Sequence, residues 1–155
     1  MSTELAFLRH CLATLAYRTQ KALRDAPVHF PSFQAGAGVR TPLELLHHMT
    51  SVLIRTADEL SGTESEPLEP LPLDGVVDRF HGSLRTLSAA LESTALREDR
   101  LAERLLQGPI SDAMTHAGQL ALLRRLAGAP VEPENFFRAN ISPETLGPRR
   151  PRPED

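Results

Sequence analysis

Residues 76–91 read VVDRFHGSLRTLSAAL and set Val77, Phe80, Leu84, Leu87 and Leu91 at intervals of three and four. Side chains so spaced share one face of an α-helix, and the 3-4-3-4 rhythm is that of a seam between packed helices. A helix with one apolar stripe must lay it against partners, so the neighbouring segments decide the architecture.

Upstream, Asp74 is placed to cap this helix, and the Pro/Glu-rich linker SGTESEPLEPLP (61–72) precedes it. Before the linker, Thr41-Pro42-Leu43-Glu44 starts another helix sharply. Thr41 is its N-cap, Pro42 fits the first helical position and Glu44 closes a capping box. That helix is expected to run to about Leu60. The stretch 26–40, APVHFPSFQAGAGVR, is a long loop for a compact bundle, and long loops often carry function. Phe30 and Phe33 are expected to pin it down. A first helix is expected from about Ser2 to Asp25, with Leu5, Leu8, Leu12, Leu15 and Leu23 as its apolar stripe.

Downstream, residues 94–107 are charged and read as partly helical. A fourth helix is expected to start near Gly108-Pro109 and to end at a C′ glycine, Gly128, with Arg124 and Arg125 complementing the dipole of its last turn. Then come VEPENFFRANISPETLG (131–147) and the tail PRRPRPED (148–155). Phe136, Phe137 and Ile141 need burial, against the chain's own bundle or a second subunit. The expectation is an all-α four-helix bundle as a single domain over 1–147, with 148–155 a disordered or partner-bound tail.

Composition agrees. The 155 residues are 41% hydrophobic and 24% charged, with no tryptophan, one tyrosine and much leucine and alanine, which favours helices. A formal net charge of −3 argues against a nucleic-acid binder, which needs a basic face. The arginines of RRPRP are balanced by Glu154 and Asp155. A lone Cys11 cannot form an internal disulfide. It reads as a small buried apolar residue. No apolar stretch approaches the roughly 20 residues that span a bilayer, and the start is unlike a signal peptide. These features point to a cytoplasmic protein without a membrane segment.

Some polar residues fit a bland core poorly. Asp112 and His116 are four apart on the fourth helix, so they stack on one face and can reach one ion. His116 falls among Ala113, Leu120, Leu123 and Ala127, toward the core. On the second helix, adjacent His47 and His48 cannot both face one site, and His48 flanks Leu45 and Val52. His48, Asp112 and His116 together would form a two-histidine, one-carboxylate metal set with open positions. Structural readings also exist: Asp112 as a helix-start carboxylate, His116 as a core histidine, and His47 and His48 as partly exposed polar residues. Gln119, one turn from His116, is placed to hydrogen-bond it. Tyr17 is a weaker candidate to line a pocket. His10, His29 and His81 lack partners at ligand spacing and read as surface or loop histidines.

The segments RTPLELLHHM (40–49) and GPISDAMTHAGQLALLRRLAGAPVEPENFFRANI (108–141) resemble the DinB/YfiT-like superfamily. These are bacterial four-helix bundles, many taken to be metalloenzymes. The resemblance implies His48 as the helix-two ligand and His116, followed by Ala117-Gly118-Gln119-Leu120, as the second histidine of an H-x-x-x-H pair. The first position of that pair is Asp112 here, which makes the ligand set more anionic. The resemblance further implies a divalent metal (Zn or Ni first, Mn or Fe next), a low-molecular-weight thiol co-substrate for S-transfer to a small molecule, a stress or detoxification role, and a homodimer. The competing reading is a non-catalytic, stress-related bundle with a structural metal or none.

Overall fold

A computed structural model of the chain describes residues 2–93 and 100–148. Among the described residues every regular element is helical: α1 (Thr3–Leu23), α2 (Pro42–Ser61), α3 (Leu73–Ser93), α4 (Leu101–Leu105) and α5 (Ser111–Leu126). A π-helical run, Leu106–Ile110, joins α4 to α5, so these three act as one long helix. Single 3₁₀ turns lie at Phe30–Ser32 and Phe136–Arg138. No described helix is long and apolar enough to cross a membrane.

The helices form a bundle whose packed pairs are α1 with α5, α5 with α2, α2 with α3 and α3 with α1. Sequence neighbours α1 and α2 thus lie across a diagonal, and residues 24–41 lead from one to the other. This order sets α2 beside α5, which positions the site described below.

The capping signals of α2 act as read. The Thr41 hydroxyl accepts from Glu44 N at 3.2 Å, and the Glu44 carboxylate accepts from Thr41 N at 2.7 Å. Gly62 then stops the helix at φ 66°, a left-handed conformation that costs glycine nothing. Phe30 is fully buried and Phe33 packs on the core from the preceding loop.

Four expectations need correction. On α3 Val77 packs half-buried against the core beside the fully buried Val76, and Asp74 is not the cap but lies inside the first turn, which begins at Leu73. The fourth helix does not start at Gly108-Pro109, because the helical path begins at Leu101 and Pro109 sits within the π-helical run. Proline has no N–H to donate and crowds the preceding turn, and a widened turn relieves both. The Ser111 hydroxyl donates to Leu106 O at 2.6 Å, a carbonyl that also accepts the Ser111 backbone N–H across the widened turn. Of the two places expected for Phe137, the chain's own bundle is not it, since the residue is 97% exposed in the single chain, whereas Phe136 sits edge to face on Tyr17. His81 is not a surface residue: it is fully buried on α3.

His81 is buried because the C-terminal extension folds back over it. Its Nδ1–H donates to Leu146 O at 2.8 Å, and Gln20 lies 3.5 Å from its Nε2 while donating to Gly147 O. Burial pushes the His81 pKa down, so the neutral ring with one donor and one acceptor fits this niche. Arg124 makes a second tie. Its guanidinium donates to Ala22 O, Arg24 O and Ala129 O at 2.8–3.0 Å, closing the C-terminal ends of α1 and α5 together. Most of the tail, with RRPRP, lies outside the described residues.

Candidate metal centre

Where α2 meets α5, His48, Asp112 and His116 converge. Each offers one ligand atom, and the three atoms lie within 4.8 Å of one another. His48 Nε2 is 3.4 Å from one Asp112 oxygen, and His116 Nε2 is 3.6 Å from the other. The imidazoles meet edge to face with centroids 4.9 Å apart. Bonds of about 2.0–2.1 Å in a tetrahedron set neighbouring ligand atoms about 3.3–3.4 Å apart, a length that the His48–Asp112 distance matches, whereas the trio as a whole, at up to 4.8 Å, must draw in to close on an ion.

The trio sits at the rim of the bundle, not in its core. Side-chain exposure is 29% for His48, 46% for Asp112 and 11% for His116. The helical phase explains this. The core stripe of α5 is Ala113, Ala117 and Leu120, and Asp112 and His116 each precede an alanine of it by one residue. One residue is about 100° of rotation, which carries both side chains to the flank that faces α2. His48 likewise precedes the buried Met49.

Gln119 performs the role its spacing suggests. Its amide oxygen accepts from His116 Nδ1–H at 2.7 Å. With Nδ1 engaged as the donor to Gln119, Nε2 is the ring nitrogen turned to the Asp112 carboxylate, the orientation in which a metal-binding histidine is held by a partner on its other nitrogen. Burial lowers the His48 pKa, with help from the charges of Arg40 and His116, while Asp112 opposes the shift. His48 is thus held toward the neutral form that binds metals.

The other candidates lie elsewhere. Tyr17 does not line this site: it is buried in α1, its hydroxyl donates to Glu134 and its ring supports Phe136, so it anchors the C-terminal extension. His47 is half-buried beside His48 and outside the trio, and His10 and His29 are exposed. Cys11 is half-buried, and burial pushes its thiol pKa up.

Each member of the trio opens on a different cavity. His48 borders one of about 720 Å³ between α2 and the 65–71 linker. Asp112 borders one of about 740 Å³ at the π-helical run. His116 and Gln119 border a third of about 600 Å³ under residues 35–40. Arg40 lines the first and third cavities, and Arg55 the first and second. Sequence reading missed both arginines, and the only pointer to Arg40 was the length of the loop that it ends.

Compared with family models, curated proteins and solved structures, the chain gives no significant match to any of them.

Proposed function

We propose that this bundle binds a divalent cation through His48, Asp112 and His116 and uses it in thiol-dependent S-transfer, as a protein of the DinB/YfiT-like kind. The observation that carries the reading is the convergence of three donor atoms within 4.8 Å at an exposed rim flanked by cavities. Two imidazoles and one carboxylate suit Zn or Ni, and accommodate Mn or Fe. Three protein ligands leave coordination positions for a substrate. Held by these residues, the cation would supply Lewis acidity that lowers the pKa of a thiol bound to it, whose proton would pass to solvent.

The chain's own residues set up that chemistry. Gln119 fixes the tautomer and tilt of His116. The low pKa of His48 keeps its lone pair available near neutral pH. Asp112 brings the one formal negative charge, so a divalent cation keeps net positive charge to stabilise a thiolate. Cys11 has a raised pKa and lies outside the trio, which favours an external thiol as the nucleophile. The same reading makes the protein a homodimer, which light scattering on the purified chain would check.

The test is a screen of low-molecular-weight thiols against a chromogenic electrophile. Metal-loaded protein should accelerate thioether formation, and an Asp112→Ala variant or added chelator should remove the acceleration. Rates equal to the uncatalysed reaction with every thiol would contradict the transferase assignment.

A second reading rests on the same distances. At 3.4 and 3.6 Å, Asp112 contacts both imidazoles directly, which a polar cluster at the rim of a non-catalytic module can do without a metal. A chelator that lowers the melting temperature, together with no thiol transfer, would instead mark a structural metal.

A further inference from the structure

The cavity beside His116 combines an apolar wall with one formal charge. Its wall includes Val39, Leu122 and Leu126, and the only Lys, Arg, Asp or Glu that lines it is Arg40. Those three apolar side chains are 45%, 52% and 57% exposed, and they are three of the seven large hydrophobics left exposed among the described residues. Scattered exposed leucines need no explanation, but their gathering on one concave surface marks a place where apolar matter binds. The polar side chains beside Arg40 in its lining are His116 and Gln119.

Among the described residues the Arg40 guanidinium forms no hydrogen bond and no close ion pair, and its charge acts through space on Glu44 and His48. The nearby Glu44 carboxylate is committed to the Thr41 cap, bonding Thr41 N at 2.7 Å and the Thr41 hydroxyl at 3.0 Å. Arginine presents a planar fork that matches a carboxylate, and the pairing is worth most beside an apolar wall that excludes water. A volume of about 600 Å³ is within the usual span of small-molecule pockets.

We infer that this cavity binds an amphipathic carboxylate: an aliphatic or aryl body against Val39, Leu122 and Leu126, and its carboxylate on Arg40. Bound in this way, the molecule lies against the His116 edge of the trio. That it is the electrophile acted on there rests on the function proposed above, whereas its binding does not.

The test is calorimetric titration of the full chain with octanoate, and with 1-octanol as the uncharged comparison, first in chelator and then with zinc. Octanoate should bind the metal-free protein, and Arg40→Gln should weaken it about tenfold, the loss of one charge-assisted pair, while leaving octanol unchanged. Leu126→Gln should weaken both ligands. Arg40 and Leu126 are exposed, so both variants should keep the fold, as circular dichroism would confirm. No octanoate binding to metal-free protein, or an unchanged affinity in Arg40→Gln, would overturn the inference. Octanoate binding that appears only with zinc would also overturn it, because the carboxylate would then sit on the metal, and would leave the metal site itself supported.

Discussion

Removing the Gln119 carbonyl while leaving all three ligands in place isolates how the site is organised. In Gln119→Leu the His116 Nδ1–H loses the acceptor that it holds at 2.7 Å. The ring is then free to rotate or to move its proton to Nε2, the atom that faces Asp112. Loss of a partner that orients a metal-binding histidine costs about 10- to 100-fold in affinity. Gln119 is exposed, so water can replace part of the lost bond, which places the expected loss at the low end, about tenfold or about 1.4 kcal/mol. Gln119→Glu keeps an acceptor and should stay close to the parent or exceed it. Competition for zinc against a chromophoric chelator reads these differences directly. Metal-free melts of both variants should match the parent, since residue 119 is exposed. A Gln119→Leu protein within twofold of the parent, or equal losses in the two variants, would refute the orienting role.

Other consequences concern the scaffold. His81 has a lowered pKa when folded, so the unfolded chain binds its proton first, and the stability from the neutral buried ring is fully present only above about pH 6.5. Urea melts should show it falling away from there down through the lowered folded pKa, by at most about 1.4 kcal/mol per pH unit. The difference from His81→Gln should carry that slope, and parallel pH profiles would contradict it. Arg124→Met should destabilise by about 2–4 kcal/mol in denaturant melts, because three carbonyls at two helix ends lose a charged donor; a change below about 0.5 kcal/mol would mean that water replaces it fully. Thr41→Ala should cost about 1 kcal/mol by removing the α2 cap, and an unchanged melt would show that Glu44 and Pro42 suffice.

Much of the fold was written locally. The α3 seam, the Thr41–Glu44 box, and Gly62 and Gly128 at left-handed φ are short-range signals, and short-range physics decides them. The stacking of Asp112 with His116 followed from helix phase, whereas His48 was joined to them by the ligand set they would form and by the family resemblance; the packing of α2 on α5 was not legible. What escaped reading was long-range or fine in angle. The rim position of the trio turns on single-residue offsets of about 100° from the core stripe, which a broad apolar wheel blurs. His81 is buried by the Leu146 carbonyl, 65 positions away, and no local pattern announces that partner. Tyr17 likewise owes its place to Glu134 and Phe136. Proline in a π-helical run defeats the rule that reads proline as a helix start. Arg40 gained meaning only once residues 35–40 were seen beside α5.

The central claim is that His48, Asp112 and His116 hold a divalent cation. Elemental analysis of protein purified without a metal-affinity tag tests it most directly, run beside His116→Ala. The account predicts close to one Zn, Ni, Mn or Fe per chain, lost in the variant while its helical content stays unchanged. A parent protein that contains no metal and binds none when it is added, or a variant that keeps the full complement, would contradict it.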